Sequence, residues 1–250
     1  MLMRTSSQCA SSHNRFLTHL SREDAALLEG ALEQVALPAG TLLLANGAPL
    51  EAIYFPETMI VSIGGQALDG HHVETALIGF EGIVGCSAFA GSQRTTYDAV
   101  VQMKGGTAWR ISRNAIERAC LTSGTLTAAA MRFADVLTVQ MAQAIISSLQ
   151  DPVKRRLCRW LLMRHDRVLT DQFLIRHDEI SLSLGTRRAS VTDCLHVLEG
   201  EHLVRCHRGR IIIRDRPGLE AAAFGSYGAA EAYYRERIGP FGRTISLWAR

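Results

Sequence analysis

The sequence predicts an α+β chain: an antiparallel β-roll, then a long helix, then a winged helix-turn-helix. Three observations carry this. Residues 41–110 are short apolar runs cut by turn residues at regular intervals, the pattern of antiparallel strands. Residues 122–149 contain no Pro, and no Gly beyond Gly124, and repeat apolar residues at helical spacing. Residues 177–215 hold two short helical patterns joined at Gly185, then two β-like runs joined at Arg208-Gly209.

Bulk properties narrow the function classes. The 250 residues are 47% hydrophobic and 20% charged, an ordinary globular balance with room for two small domains. No apolar run is long enough to span a bilayer, and the first residues, MLMRTSSQCASSHNR, lack the apolar stretch of a signal peptide. A cytoplasmic protein with no membrane partner is expected. The six cysteines include no C-x-x-C pair, so reduced core thiols are expected rather than a metal or iron–sulfur site. Residues 1–150 carry nine basic and twelve acidic side chains, whereas residues 151–216 carry fourteen basic and nine acidic. Positive charge concentrated in one segment suits a polyanion, because phosphate contacts supply most non-specific affinity for nucleic acid.

The first thirteen residues are polar and small, and are expected to form a disordered tail. The roll occupies 14–120. Ser21-Arg22-Glu23-Asp24 reads as a capping box opening a helix that carries Ala25, Leu27, Leu28, Leu32 and Val35 and ends at Pro38-Ala39-Gly40. Asn46-Gly47, Pro56, Gly64-Gly65, Asp69-Gly70 and Gly105-Gly106 separate the strands that follow, with Asp69-Gly70 the best hairpin turn.

The long helix is assigned to 121–150. Leu126, Ala130, Phe133, Leu137, Gln140, Ala144 and Ser147 alternate at spacings of four and three, a heptad seam expected to form a dimer interface. Val136, Val139, Met141 and Ile145 supply a second apolar face.

The module at 151–216 begins with Asp151-Pro152 as a helix start. In the following helix Val153, Leu157, Trp160, Leu161 and Met163 face inward and the other positions are basic. Asp178 is expected to cap the first short helix of the pair. Thr186 is expected to cap the second, helix 186–199, with Val191, Cys194, Leu195 and Leu198 inward. Thr186, Arg187, Arg188, Ser190 and Thr192 then lie at the helix start, where side chains reach base edges in a major groove. Arginine bonds bidentately to guanine O6 and N7. Asp193 has the wrong charge for this and is expected to face away. Arg205, Arg208 and Arg210 sit on the wing and are expected to meet phosphate. Double-stranded DNA is therefore the expected partner. Residues 217–250 read as a helical extension, packed on the wing domain or free.

With these residues in view, the chain resembles the Crp/Fnr family of bacterial transcription regulators from about residue 15 to 216. The string LGTRRASVTDCLHVLEGEHLV is similar to the family's turn and recognition helix, and AIYFPETMIVSI to an early strand pair of its sensor domain. The resemblance implies a homodimer on a pseudo-palindromic operator with half-sites about 34–36 Å apart. It makes Arg188 the match to the base-contacting arginine, with Ala189 where an acidic residue is usual. It also admits RNA polymerase as a partner.

In cyclic-nucleotide-binding members of the family, a Gly-Glu and a later Arg-Ser or Arg-Thr hold the ligand's ribose and phosphate. The corresponding candidate pocket here is Gly85, Cys86, Ser87, Arg94, Thr95 and Thr96, with Cys86 where the glutamate belongs and Met141 and Ala142 where hydroxyl side chains meet the base. Cyclic AMP is not expected to bind in the usual way, though a small effector in the roll is compatible with the surviving clamp. A thiol sensor at Cys86, activated by Arg94, is a further reading. His71-His72 is read as an exposed hairpin tip rather than a metal site. The alternative function is a ligand- or redox-sensing module whose helix-turn-helix contacts protein. No nucleophile–base pair, phosphate-binding glycine motif or metal triad is present in the sequence, so an enzyme is not expected.

Overall fold

A computed structural model describes residues 8–66 and 72–243. They fold as two compact units, one formed by residues up to 63 together with 78–135, the other by 64–77 together with 136 onward. The expected Asp69-Gly70 turn and His71 lie outside the described residues.

The first unit opens with two short helices, α1 (Gln8–Ser11) and α2 (Arg15–Thr18). A disordered tail is expected as far as residue 13, yet residues 8–13 are packed. Cys9 is buried, and Asn14 is buried and pins the segment. Its side-chain amide donates to the carbonyls of Pro56 and Gly82, both at 2.9 Å, while Oδ1 accepts from the Leu17 N–H. Glu57 anchors the same region, accepting from Ser12 Oγ at 3.0 Å and from the Trp109 indole at 2.9 Å.

Ser21 caps α3 (Arg22–Leu28) as the sequence predicts, accepting from the Asp24 N–H. The helix is shorter than expected, because Leu32 lies beyond it and Val35 falls in β1 (Glu33–Leu37). Leu28 and Leu32 are both buried. Packing in a loop and strand satisfies them as well as a helical face would.

The strands β2 (Leu42–Leu44), β3 (Ala52–Pro56), β4 (Val61–Gln66), β5 (His72–Ile78), β6 (Asp98–Val101) and β7 (Gly106–Ser112) complete the roll. They form two sheets, ordered β1-β7-β3 and β2-β6-β4-β5. The antiparallel pairing of β3 with β7 sets Ile53 opposite Ile111 and Phe55 opposite Trp109. Phe16 stacks on Phe55 at 5.9 Å. Gly64-Gly65, expected to form a turn, lies inside β4. A Cβ on Gly64 would come within 1.8 Å of the Val73 carbonyl oxygen, so this glycine marks a close strand approach rather than a bend.

Ser112 caps α4 (Arg113–Thr122), and α5 (Gly124–Gln150) follows after Ser123. Asp24 accepts from the hydroxyls of Ser123 and Thr125 at this junction. Burial raises its pKa, but these bonds outweigh that effect and hold the carboxyl below its ordinary range.

Most of the heptad seam on α5 is covered within the chain itself. Within the first unit, Leu126, Ala130 and Phe133 are buried against the chain's own core. Within the second, Leu137 and Gln140 are buried, and Ala144 is half-buried. The Gln140 carboxamide pairs with the β5 backbone, accepting from the Leu77 N–H at 2.6 Å and donating to the Leu77 carbonyl at 3.2 Å. A side chain with no remaining exposed surface cannot meet a partner helix. The large apolar residues left open on α5 are Ile145, Ile146 and Leu149, the last 79% exposed.

The second unit contains α6 (Val153–His165), β8 (Gln172–Leu174), α7 (His177–Ser183), α8 (Arg188–Gly200), β9 (Val204–His207), β10 (Arg210–Ile213), α9 (Arg216–Ala223) and α10 (Ala229–Arg237). Pro152 rather than Asp151 occupies the N-cap position of α6; Asp151 instead accepts from Arg155 at 2.8 Å. Leu157, Trp160, Leu161 and Met163 are buried as predicted. The basic positions of α6 are not uniformly solvated. Arg164 is fully buried, forms two hydrogen bonds with Glu74 at 3.0 and 2.7 Å, and stacks over the Trp160 ring at 3.5 Å.

The C-terminal extension is packed on this unit, with α9 lying against α6. Arg216 and the Tyr227 hydroxyl both bond Asp166, at 2.8 and 2.6 Å. Tyr234 packs on Phe241. Arg243 reaches His165 Nε2 at 2.9 Å and bonds Asp171.

Candidate nucleic-acid interface

α7 and α8 pack on each other and α8 packs on α6. Ile180, Val191, Leu195 and Leu198 have no exposed surface, and Ser181 and Leu184 are buried beside them. Gly185 takes a left-handed conformation, φ +56°, which glycine adopts without steric cost. The Thr186 N–H donates to the Ser181 carbonyl at 2.9 Å and closes the turn.

Both predicted caps differ from what is observed. Arg176 and Arg187 occupy the N-cap positions of α7 and α8, neither with a side-chain cap bond. Asp178 instead pairs with Arg188 Nε at 3.1 Å, with both side chains more than half exposed. Such a pair is weak in water and is readily exchanged for another acceptor. The first N–H groups of α8, uncapped by a side chain, and its positive dipole end give a site suited to phosphate.

Arg187 and Arg188 are exposed, and Thr186, Ser190 and Thr192 are half-buried. Thr192 Oγ1 donates to the Arg188 carbonyl at 3.1 Å and lies 2.9 Å from His177 Nδ1. Sequence reasoning passed over His177. Burial lowers its pKa, and the positive charges of Arg188 and His196 act in the same direction. Asp193 is expected to face away from the groove. It is exposed together with Ala189 and His196, on the helix face opposite Val191, Leu195 and Leu198.

The wing has three strands in the order β8-β10-β9. The sequence showed only β9 and β10, because QFL is too short to display alternation. β8 aligns Phe173 with Ile211, and Ile211 and Ile213 are buried beneath. At the tip Arg208 and Gly209 both have positive φ, +47° and +74°, the geometry of a two-residue hairpin turn. Arg205, Arg208 and Arg210 are all exposed.

The candidate effector residues of the roll are placed differently. Gly85 precedes a 3-10 turn at Cys86–Ala90. Cys86 is buried, which pushes its thiol up to about 11, with the backbone N–H groups of Cys86 and Ser87 pulling only partly the other way. This is opposite to the activation a thiol sensor needs. The Arg94 side chain donates to the Gly47 carbonyl at 2.7 Å and lines a cleft with Glu51 and Arg113. Thr95 is buried with its hydroxyl on the Ala45 carbonyl, while Ser87 is half-buried and Thr96 exposed. These residues do not fit a cyclic nucleotide: no carboxylate stands at Cys86 and the Thr95 hydroxyl is already committed.

A three-stranded wing beside two packed helices defines a winged helix-turn-helix protein. Residues 155–222 match the Crp-like helix-turn-helix domain family. A comparison with curated proteins found no match. Among solved structures, the chain is similar to a Crp/Fnr-family protein from Eubacterium rectale, with 18% identity over 82% of this chain and 96% of the other, at a TM-score of 0.65. It is similar to FixK2 from Bradyrhizobium japonicum, with 14% identity, 76% and 96% coverage and a TM-score of 0.66. It is also similar to a CRP-family transcriptional regulator from Thermus thermophilus, with 18% identity, 79% and 99% coverage and a TM-score of 0.64. The chain has the fold of the Crp/Fnr transcriptional regulators and carries their helix-turn-helix domain. No helix among the described residues is long and apolar enough to cross a membrane.

Proposed function

We propose that this chain is a DNA-binding transcription regulator that acts as a homodimer, with α8 in the major groove and the wing on the phosphate backbone. The observation that carries this reading is the exposure of Arg187 and Arg188 at the start of a helix otherwise locked by Val191, Leu195 and Leu198. Positive charge at a helix N-terminus opposes the macrodipole, so two arginines there are best explained by an anionic partner. Arg188 reads a base edge, Arg187 and Thr186 approach phosphate, and Arg205, Arg208 and Arg210 on the wing add sequence-independent contacts. The relation to the Crp/Fnr fold supports this reading, and supports a non-enzymatic role.

Salt tests the electrostatic part. If two protomers make about 6–10 phosphate contacts, affinity in a mobility shift falls about 10³–10⁵-fold between about 50 and 200 mM salt. A salt-insensitive complex would refute it.

The dimer is assigned to the open side of α5, through Ile145, Ile146 and Leu149, rather than to the buried seam. Leu149→Glu yields a folded monomer by size exclusion with light scattering. Leu137→Glu places a charge in the core and disrupts folding instead. A folded Leu137→Glu monomer would return the interface to the seam.

A further inference from the structure

The second unit contains a cavity of about 130 Å³ bordered by β5, the end of α5, α6 and α7. Its lining includes Arg156, Arg159, Trp160, Ser147 and Ser183. Ile145, assigned above to the dimer interface, also borders it, but none of the proposed DNA contacts does.

Its donors exceed its acceptors. Arg159 makes one hydrogen bond among the described residues, to the Gln140 carbonyl at 3.3 Å, and Arg156 makes one, to the Leu184 carbonyl. Each guanidinium has five N–H groups. Trp160 is 3% exposed and its indole N–H has no acceptor among the described residues, whereas buried polar groups ordinarily find partners. Glu74, the carboxylate in the lining, is taken up by Arg164 through both oxygens. Of the other acids whose charge acts on Arg159, Asp151 is engaged by Arg155 and Ser226, and Glu231 accepts from the Gly228 N–H at 3.0 Å. Burial lowers the pKa of both Arg156 and Arg159, with Asp151 compensating in part at the first and Glu231, Glu74 and Asp151 at the second.

We propose that this cavity binds a small oxyanion, inorganic phosphate or the phosphoryl group of a small phosphomonoester, held by Arg156 and Arg159 with the Trp160 indole as a further donor. Two guanidinium groups match the charge and geometry of a phosphoryl group, and a partly closed apolar wall strengthens the pairing. The site joins residues of α5, α6 and α7, so occupancy would stiffen the support of α7, the helix that precedes α8. The inference stands apart from the proposed DNA contacts, because none of these residues belongs to that surface.

The indole N–H of Trp160 is the reporter, followed by ¹H–¹⁵N NMR on the full chain. Trp109, bonded to Glu57, is the internal control. Titration with inorganic phosphate or glycerol phosphate moves the Trp160 signal saturably, with millimolar or tighter affinity, while chloride at equal ionic strength and acetate do not. Arg156→Gln, at a partly exposed position, weakens binding at least about tenfold, and Trp160→Phe weakens it in calorimetry while circular dichroism shows an unchanged fold. No saturable shift in the folded protein, an Arg156→Gln variant that binds as well as the parent, or an equal response to chloride would each overturn the proposal. Displacement of phosphate by non-specific duplex DNA would overturn it too, by assigning the cavity to a backbone phosphate.

Discussion

The arginines of α6 and those of α8 lie on neighbouring helices of one unit, yet they do opposite things. Arg164 is sealed under a bidentate Glu74 and a Trp160 ring, with 1% of its side chain exposed, whereas Arg188 is 69% exposed and paired with Asp178. Both appear in sequence as a basic position on an amphipathic helix. What separates them is where the unit's remaining surfaces fall. The Glu74 strand covers one arginine, and nothing among the described residues covers the other. A charge count cannot tell a structural arginine from a binding one. Arg164, and Arg216 with its partner Asp166, are therefore subtracted from the basic surface that the composition suggests.

Four experiments test that contrast. Arg164→Ala leaves Glu74 buried without a partner and costs about 3–5 kcal/mol, read as a lower urea midpoint. The Arg164→Leu/Glu74→Leu double variant recovers most of that loss. If Arg164→Ala is tolerated, the pair is not structural. Arg188→Ala changes stability by less than about 0.5 kcal/mol but costs about 1–3 kcal/mol at the specific DNA site and relaxes preference at one base pair. Uniform weakening across sequences would remove the direct-readout role from Arg188. Arg208→Ala should produce that uniform weakening and reduce the salt slope by about one, measured by the same mobility shifts at several salt concentrations.

The smallest effect is on pH. Burial lowers the pKa of His165 from its ordinary 6.5, Arg243 and Arg216 push the same way, and the hydrogen bond with Asp171 opposes them. A histidine whose folded pKa lies below its unfolded value binds fewer protons when folded. Its contribution is therefore complete above about 6.5 and is lost as pH falls below that value. Urea midpoints measured on both sides of it fall on the acid side, and His165→Gln flattens the change. A midpoint that rises on acidification would show that the Asp171 bond dominates.

Parts of the molecule were legible from local signals. Ser21 as a cap and the Arg208-Gly209 hairpin rest on contacts within a few residues, and the inward face Val191, Leu195 and Leu198 shows in its helical period. Other readings failed where partners are remote. Val35 joins a strand because β7 pairs with it. Gly64 sits inside a strand because Val73 approaches it. β8 exists only through its register with β10. Asp178 has the residue type and position of a cap and instead faces Arg188, because the turn at Gly185 brings the start of α8 beside it.

The α5 seam shows the limit most directly. Its heptad spacing was real, and Leu126, Phe133 and Leu137 do form one continuous apolar stripe, but periodicity reports only that a face is buried. What buries it is a separate question.

The order of elements, the helix pair, the wing turn and the exposed arginines of α8 follow from the amino-acid order, because each depends on backbone preference and side-chain period over short spans. The fate of each face and charge emerged only once the chain was folded: which side of α5 is covered, which arginines are paired, and whether Arg94 and Cys86 share a pocket. Burial and pairing are properties of surfaces brought together from distant parts of the chain, and no local pattern encodes which surfaces meet.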